Sequence, residues 1–432
     1  MTRDYQPALL IGAAALAAFG VSLVNFAGQG TVDAEVGLTF LTVLIAFGGV
    51  YVATRRFASE AITLLLPPIA VITGFGFVEI YRLNPFRAGL QRWWLMIGAA
   101  LAVVVLAWVS RNGLASLRRY RNVLLVLAVL LLLMPLLPAS GPLPVKGLTV
   151  NGSRLWIVID LFFIELNFQP GEVAKLLFVV FLASYLADRQ PALTGAHRQI
   201  GRFRMPEPRQ LGPLLLVWVG SLGILVAQRD LGASLLLFLV FVATLYVATG
   251  EGGYLVGGTA LILIGGFASW RVFDHVQRRV SAWIDPFGSF EDAGYQVAQG
   301  IFGLGTGSLA GSGPGLGQPE LIPNAITDFV FAAVGEEFGF AGSVAVLGCY
   351  ALLVAVGLGI ALRARDRFRK LLAFGLTFVL ALQVFLIIGG VLRVVPLTGI
   401  ALPFMSYGGS SMVGNFILVA LLLSISHEEA SA

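Results

Sequence analysis

Repeated apolar runs of about twenty residues are the feature that most limits what this chain can fold into. The chain has 432 residues, of which 58% are hydrophobic and 12% are charged. A soluble domain carries about twice that charged share. The sequence therefore predicts an all-α polytopic membrane protein with about twelve transmembrane helices, near residues 8–27, 36–54, 62–81, 93–110, 122–138, 170–187, 212–227, 231–249, 253–272, 341–362, 371–390 and 407–425.

Composition also excludes several classes of ligand. The net charge of +5 does not indicate nucleic acid, because basic residues in a membrane protein mostly mark cytoplasmic loops. A single cysteine, Cys349, rules out disulfides within the chain and cysteine-based metal sites, and His197, His275 and His427 are far apart. We therefore expect no zinc and no haem. The glycine-rich run 303–317 lacks the Lys-Ser/Thr ending of a P-loop, so we expect close packing there and no nucleotide.

Basic residues in the connecting segments predict the orientation of the chain. With the N-terminus inside, the cytoplasmic segments hold seventeen arginines and lysines and the opposite side holds ten. This bias places both termini in the cytoplasm. Two long segments then face outward, 139–169 and a loop at about 272–339 with re-entrant segments. Loops longer than about fifteen residues in a compact protein are usually functional.

The stretch 321–340 of the second loop, LIPNAITDFVFAAVGEEFGF, places three acids in an apolar setting. Acids inside a membrane protein are costly unless they serve a function. Asp328 follows a Pro-Asn turn signal, and glycines at 335 and 339 interrupt the run that follows. We expect a segment that dips from a water-facing loop into the protein, with Asp328 at its rim. Spacing alone favours a simpler interpretation, in which Asp328 caps a helix.

Charged residues near other predicted span ends are candidates for substrate binding. Glu172 and Lys175 are three apart and share a helix face, so they form a salt bridge that locks helices together, the charged wall of a cavity, or both at once. Arg229 and Asp230 form a short link that either reaches into a cavity or is a solvated turn. Arg154 follows an Asn-Gly turn, in an amphipathic stretch expected along the outer interface. It binds either a lipid headgroup or a loop carbonyl.

The last outward segment, 393–411, contains two prolines, a Gly-Gly pair and five hydroxyl side chains. Broken backbone at membrane depth is tolerated where it is buried in protein or lines a cavity. Both alternatives are open, and we favour a cavity that opens outward. Arg393, Ser406 and Tyr407 are then candidate substrate-binding residues.

A series of short motifs runs through the chain, namely Asn-Gly-x-Arg-x-Trp-Ile at 151–157, Gln-Pro-x-Glu-x-x-Lys at 169–175, Asp-Leu-Gly at 230–232, Gly-Tyr-Gln at 294–296, Thr-Asp-Phe-x-Phe-Ala at 327–332, Gly-Glu-Glu at 335–337, and Pro-Leu-Thr-Gly through Ser-Tyr-Gly-Gly-Ser-Ser at 396–411. Together they resemble the SEDS family (shape, elongation, division and sporulation) of RodA- and FtsW-like proteins, over roughly residues 62 to 425. The family often has Glu and His where Asn324 and Ile326 stand here. Because its members have about ten core spans, the resemblance divides the chain into a two-helix extension at 1–60, a core at 61–426 and a cytoplasmic tail at 427–432.

The resemblance implies a peptidoglycan glycosyltransferase of the bacterial cytoplasmic membrane that polymerises lipid II at the outer face. It also implies a class B penicillin-binding protein as partner, which supplies transpeptidation, and contact with membrane lipids. The family's essential loop aspartate maps onto Asp328, and its cavity Glu and Lys map onto Glu172 and Lys175.

This activity sets chemical requirements for the site. A sugar hydroxyl attacks the anomeric carbon of a lipid-linked donor, and a carboxylate as general base contributes about 10²–10⁴-fold to such a step. Asp328 is the candidate base. Charge builds on the diphosphate leaving group, for which Lys175, Arg229 and Arg393 are available, and we expect a divalent Mg or Mn ion on the diphosphate near Asp328. Two alternatives stay open, a lipid II flippase without bond chemistry and a scaffold that recruits the penicillin-binding protein.

Overall fold

The computed structural model describes residues 5–138, 145–150, 153–160, 165–195, 197–200, 203–206 and 208–431. Helices dominate this part of the chain: α1 (Gln6–Gln29), α2 (Ala34–Phe57), α3 (Leu66–Leu83), α4 (Pro85–Asn112), α5 (Ala115–Arg119), α6 (Arg121–Leu133), α7 (Gly171–Gly195), α8 (Pro208–Ala227), α9 (Leu231–Thr249), α10 (Gly253–Val272), α11 (Asp274–Ile284), α12 (Tyr295–Gly307), α13 (Val330–Arg363), α14 (Arg367–Val391) and α15 (Gly409–Ser431). Short strands follow α6 and α7: β1 (Val145–Val150), β2 (Ser153–Asp160), β3 (Glu165–Phe168), β4 (His197–Ile200) and β5 (Phe203–Pro206).

Nine helices of the described residues are long and apolar enough to cross a membrane: α1, α2, α3, α4, α9, α10, α13, α14 and α15. The predicted polytopic helical fold is thereby confirmed. Each of the twelve predicted spans coincides with a helix. The apolar parts of α6 and α8 are shorter than a full span, however, and α7 is not among the nine. The count of twelve therefore stays a prediction.

The chain forms two compact units, of which the first comprises Met1–Arg111, Trp270–Gly357 and Leu380–Ala432. The buried helix α15 lies in its core, where the Phe416 ring contacts the rings of Phe47 and Phe404 at centroid distances of 5.6 and 5.5 Å. In the same unit α1 packs against α3, with Ala17 directly beside Gly74. Small residues at such contacts let two helix backbones approach closely.

A break within α13 shapes the second long loop. Gly339 has φ 67° and ψ −166°, a conformation that is accessible to glycine and strained for other residues. Beside it, the Ser312 N–H donates to the Glu336 carbonyl at 2.9 Å, and a β-carbon on Gly311 would overlap the backbone at Gly339. The close packing predicted for the glycine-rich run is confirmed, as is the interruption at residue 339.

The second unit comprises Asn112–Ser269 and Leu358–Val379. Within it α7 packs against α6 and α9. In α7 the Asp188 carboxylate accepts hydrogen bonds from both Arg118 and Arg121. These contacts tie α5 and the start of α6 to α7 at one carboxylate.

Part of the first long loop is a β-sheet, which the sequence analysis did not predict. β1, β2 and β3 form an antiparallel sheet in chain order, with Val150 paired to Ser153. The expected amphipathic stretch is therefore strand β2, because its Trp-Ile-Val-Ile core consists of aromatic and β-branched residues that favour strands. The predicted Asn-Gly turn at 151–152 lies outside the described residues.

Candidate active site

Asp328 lies in a tight turn that leads into α13. The Asn324 carbonyl accepts the backbone N–H groups of Thr327 and Phe329, at 3.0 and 3.3 Å. Asn324 has φ 57°, a left-handed conformation that asparagine adopts more readily than most residues. The turn ends where α13 begins at Val330. Asp328 is therefore presented just before the apolar helix, partly buried and outside the span.

Ser406 and Tyr407 hold this turn from the opposite segment. The Ser406 Oγ donates to the Thr327 carbonyl at 2.5 Å and accepts from the Leu402 N–H at 2.9 Å. The Tyr407 N–H donates to the Ile326 carbonyl at 2.7 Å. Both residues thus position the backbone immediately before Asp328. Direct substrate binding by either one stays a prediction.

The segment 393–411 is close-packed over its second half. Leu402, Met405 and Ser406 are buried, and the Gln91 side chain bonds to the backbone at both Ser406 and Gly408, at 3.3 Å each. The close-packed alternative requires that the buried N–H and C=O groups of the non-helical backbone find hydrogen-bond partners, and the Gln91 amide is such a partner. The close-packed alternative therefore holds for the second half of the segment, and an outward cavity at its first half stays a prediction.

A basic residue that the sequence analysis did not single out, Arg279 of α11, lies beside Asp328. Its Nη1 donates to the Thr398 carbonyl at 3.0 Å. A β-carbon placed on Gly399 would lie 3.1 Å from Arg279 Nη2 and 3.8 Å from Asp328 Oδ2. The guanidinium and the carboxylate therefore flank the same glycine. No spacing relates residue 279 to residue 328, and the available signal was only that both lie in the same long loop.

The surroundings of Asp328 tune its proton affinity. Burial raises the pKa of Asp328 to about 6 from its ordinary value of 3.8. The positive charge of Arg279 and a hydrogen bond from the Thr327 side chain oppose this rise in pKa, because both favour the ionised carboxylate. A carboxylate that titrates close to neutral pH is suited to accept a proton during catalysis.

Arg393 stabilises the carboxyl end of α11. Its Nε and Nη2 donate to the Trp283 carbonyl at 3.1 and 3.0 Å, and Nη2 also donates to the Ile284 carbonyl at 2.9 Å. The Trp283 indole N–H donates back to the Arg393 carbonyl at 2.9 Å. A cation is favourable at this end of a helix. Arg393 thereby fixes the helix that carries Arg279, and its contact with substrate stays a prediction.

The two glutamates of the Gly-Glu-Glu motif bind loop backbone. Glu336 Oε1 accepts the Gln318 N–H at 2.7 Å, and Glu337 Oε2 accepts the Gly315 N–H at 2.9 Å. Glu337 Oε1 also lies 3.4 Å from Arg82 Nε. These buried acids are therefore retained by specific partners, and they anchor the loop that precedes Asp328.

The predicted Glu172–Lys175 contact is present in the second unit. Lys175 Nζ lies 2.6 Å from Glu172 Oε2, and the two residues are only 8% and 6% exposed. Both lie in the first two turns of α7, as their spacing predicted. The ion pair is therefore present within α7, and its role in locking helices together and a cavity wall at the same place both stay predictions.

The other candidate residues of the second unit lie in two segments that contact each other, strand β2 and the link between α8 and α9. The Arg154 N–H donates to the Gln228 carbonyl at 3.2 Å, so strand β2 contacts the link between α8 and α9. Within that link Arg229 has φ 61°, and Asp230 Oδ1 caps α9 by accepting the Ala233 N–H at 2.9 Å. Asp230 is thus a helix cap, and the side chain of Arg154 is exposed.

The described residues offer no preformed metal site. Among them, no group of three or more His, Cys, Asp or Glu side chains is arranged to hold a metal ion. Where the family often has His, Ile326 is buried in an apolar cluster, and the cation next to Asp328 is the Arg279 guanidinium. A resident divalent ion at Asp328 therefore does not fit these side chains.

A family comparison covers most of the chain, including the Asp328 site. A sequence model of the FtsW/RodA/SpoVE family, described as cell cycle protein, matches residues 60–431. The chain belongs to this family. Both α1 and α2 precede the matched range, and every residue of the Asp328 site lies inside it. The SEDS resemblance found from the motifs is thereby confirmed.

Individual members of this family are similar to the chain over most of its length. The peptidoglycan glycosyltransferase RodA of Mycobacterium tuberculosis (strain ATCC 25618 / H37Rv) is 38% identical over 443 residues, which cover 99% of this chain and 91% of the relative. A chain from a structure reported as "Structural coordination of polymerization and crosslinking by a peptidoglycan synthase complex" has 28% identity and a TM-score of 0.68, with 86% of this chain and 99% of that chain covered. The rod shape determining protein RodA of Thermus thermophilus has 25% identity and a TM-score of 0.58, with 85% and 97% covered.

Proposed function

We propose that this protein polymerises lipid II with Asp328 as the general base and Arg279 as the nearest charge partner. The class of activity is established by similarity, since the chain is 38% identical to a peptidoglycan glycosyltransferase over 99% of its length. This SEDS-family protein is thus a peptidoglycan glycosyltransferase embedded in a membrane by many helices. The observation that carries the proposal is the pairing of a partly buried carboxylate with a guanidinium around Gly399.

The base step follows from the position of Asp328. The acceptor hydroxyl of one sugar gives its proton to a carboxylate oxygen while its own oxygen bonds to the anomeric carbon of the donor. The bond from that carbon to the diphosphate breaks, and the diphosphate leaves with the electron pair. With a pKa of about 6, Asp328 is mostly ionised above neutral pH, so it is ready to accept the proton.

The leaving group requires a cation that is held in place. Arg279 is anchored through Nη1 to Thr398, while Nη2 lies at Gly399 on the Asp328 side. A preorganised donor of this kind stabilises developing negative charge without rearrangement. Arg393 donates its Nε and Nη2 groups to helix carbonyls, which makes Arg279 the stronger candidate. The side chains around Asp328 do not fit a resident metal, so a Mg or Mn ion would arrive with the diphosphate.

Orientation and partner complete the proposal. The basic-residue bias supports cytoplasmic termini and an Asp328 site on the extracytoplasmic face of the bacterial cytoplasmic membrane. A class B penicillin-binding protein is the proposed partner. Its support is that the similar chain of known structure comes from a complex that coordinates polymerisation and crosslinking.

The test is polymerisation of purified lipid II, with glycan products resolved on a gel. We expect the wild-type protein with its penicillin-binding partner to make long strands and Asp328→Asn to lose about 10²–10⁴-fold in rate. Asp292→Asn, which changes an exposed carboxylate in the same loop, is the matched control and should behave as wild type.

Near-normal strand synthesis by Asp328→Asn would refute the assignment of the base. Movement of lipid II across vesicles without polymer would instead indicate the flippase alternative. The relatives' names favour the enzyme over the flippase.

A further inference from the structure

A cavity lies in the loop that precedes Asp328, and Arg279 is not among the residues that line it. It has a volume of about 490 Å³, within the range of about 300–1,000 Å³ that is typical of small-molecule sites. One wall is a face of α12 and the other is the segment 312–322, with Glu336 of α13 between them. All of these residues belong to the first unit.

Glu336 presents one carboxylate oxygen to this cavity. The residue is 4% exposed, and its Oε1 is already bonded to the Gln318 N–H at 2.7 Å. Its Oε2 faces Gly303 of α12, where an added β-carbon would lie 2.9 Å from that oxygen. The absence of a side chain at residue 303 therefore keeps Oε2 accessible from the cavity. A buried acceptor of this kind favours a ligand that donates a hydrogen bond.

The residues that line this cavity disfavour negatively charged ligands. Glu336 is the one charged side chain among the described residues that line the cavity, so a phosphate or carboxylate ligand would be repelled. Uncharged polar groups come from Gln299, Thr306 and Gln318, and apolar surface comes from Phe302 and Ile322. Such a mixture suits a neutral ligand with hydroxyl or amide groups at its edge and an apolar face.

We propose that this cavity binds an N-acetylated hexose unit, with the acetamido or a hydroxyl group donating to Glu336 Oε2. The proposal rests on the proposed function, in which both the growing strand and lipid II carry such sugars. It assigns the neutral sugar to the Glu336 cavity and the charged diphosphate to Arg279. The Gln296 side chain donates to the Pro323 carbonyl at 3.0 Å, so α12 is connected directly to the turn that carries Asp328.

Two glycines of α12 provide a matched test. Gly303→Ala places a methyl group 2.9 Å from both Glu336 Oε2 and Ile322 Cδ1, two groups of the cavity lining, whereas at Gly305 a β-carbon would meet nothing within 4 Å. The probe is tri-N-acetylchitotriose, titrated by calorimetry against the purified full-length protein in detergent. We expect wild type and Gly305→Ala to bind it equally and Gly303→Ala to bind at least about tenfold more weakly. Gln299→Ala removes a lining amide without adding volume and should also weaken binding.

The sugar in the cavity could belong to the growing strand or to the lipid II headgroup, and polymerisation by the same variants distinguishes these two sources. Shorter strands with an unchanged KM for lipid II would assign the cavity to the growing strand. A raised KM with unchanged strand length would assign it to the lipid II headgroup. Equal binding of the trisaccharide by Gly303→Ala, Gln299→Ala and wild type, or no binding by wild type, would overturn the proposal. Glycine-dependent binding without any polymer would refute the proposed function and leave the sugar site standing.

Discussion

The Glu172–Lys175 pair and the Asp328–Arg279 neighbours both combine an acid with a base, but the chain brings them together differently. Glu172 and Lys175 lie three residues apart on one helix and form a closed, buried ion pair. Asp328 and Arg279 come from a turn and from α11, and each keeps other contacts while they flank Gly399. The first arrangement neutralises its charges, whereas the second leaves a carboxylate with a raised pKa. The difference indicates which of the two is prepared to exchange a proton.

Breaking the Glu172–Lys175 ion pair should give the largest effect, a loss of stability. Lys175→Met leaves Glu172 buried without its partner, a change that typically costs about 3–5 kcal/mol. The charge-reversed double variant, Glu172→Lys with Lys175→Glu, restores a pair at the same spacing. We expect the single variant to lower the midpoint of thermal unfolding in detergent strongly and the double variant to recover most of it.

The activity of the double variant separates the two interpretations of this pair. Recovered stability with recovered polymerisation would indicate a structural lock alone. Recovered stability without polymerisation would support a charged wall that contacts substrate.

Removal of the guanidinium beside Asp328 should come next. Arg279→Gln removes a preorganised donor, and the loss of one such group costs about 10²–10³-fold in kcat. Arg278→Gln, the same change one position earlier on α11, is the control. Equal rates of strand synthesis for the two variants would show that Arg279 does not stabilise the charge on the leaving diphosphate.

The pH dependence of kcat/KM tests the influence of Arg279 on Asp328 more finely. Because the base must be ionised, kcat/KM should rise with pH through an apparent pKa near 6, the value for Asp328. Arg279 lowers that pKa, so Arg279→Gln should move the midpoint to higher pH, and Arg278→Gln should leave it in place.

The stability of the folded protein should change with pH in the opposite direction to its activity. Because the pKa of Asp328 is higher in the folded protein than in the unfolded chain, protonation favours folding at low pH, and this contribution is lost as the pH rises from about 4 to 6. Asp328→Asn should therefore be no less stable than wild type at neutral pH.

The smallest expected effect concerns the positioning of the Asp328 turn. Ser406→Ala removes bonds to Thr327 and Leu402, which should cost about 0.5–1.5 kcal/mol of stability and lower kcat several-fold. Ser424→Ala removes only a bond to a carbonyl within α15, so it should leave kcat unchanged. A similar kcat for both variants would show that Ser406 has no influence on the site.

The sequence determined the features that depend on local pattern. Apolar length predicted the helices, the i,i+3 spacing predicted the Glu172–Lys175 contact, and glycines at 335 and 339 predicted the interruption of α13. Each of these follows from geometry within a few residues of chain. The order of motifs also identified the family, because it does not depend on how the segments meet.

Only the tertiary structure decided which distant groups share a site. It placed Arg279 beside Asp328, turned Ser406 and Tyr407 into supports of the Asp328 turn, and made Arg393 a partner of helix carbonyls. It also paired β1 with β2, where apolar length predicted a loop. Contacts between residues far apart in sequence depend on how whole helices and loops pack. Hydropathy and spacing describe each segment separately, so they carry no information about which side chains finally meet.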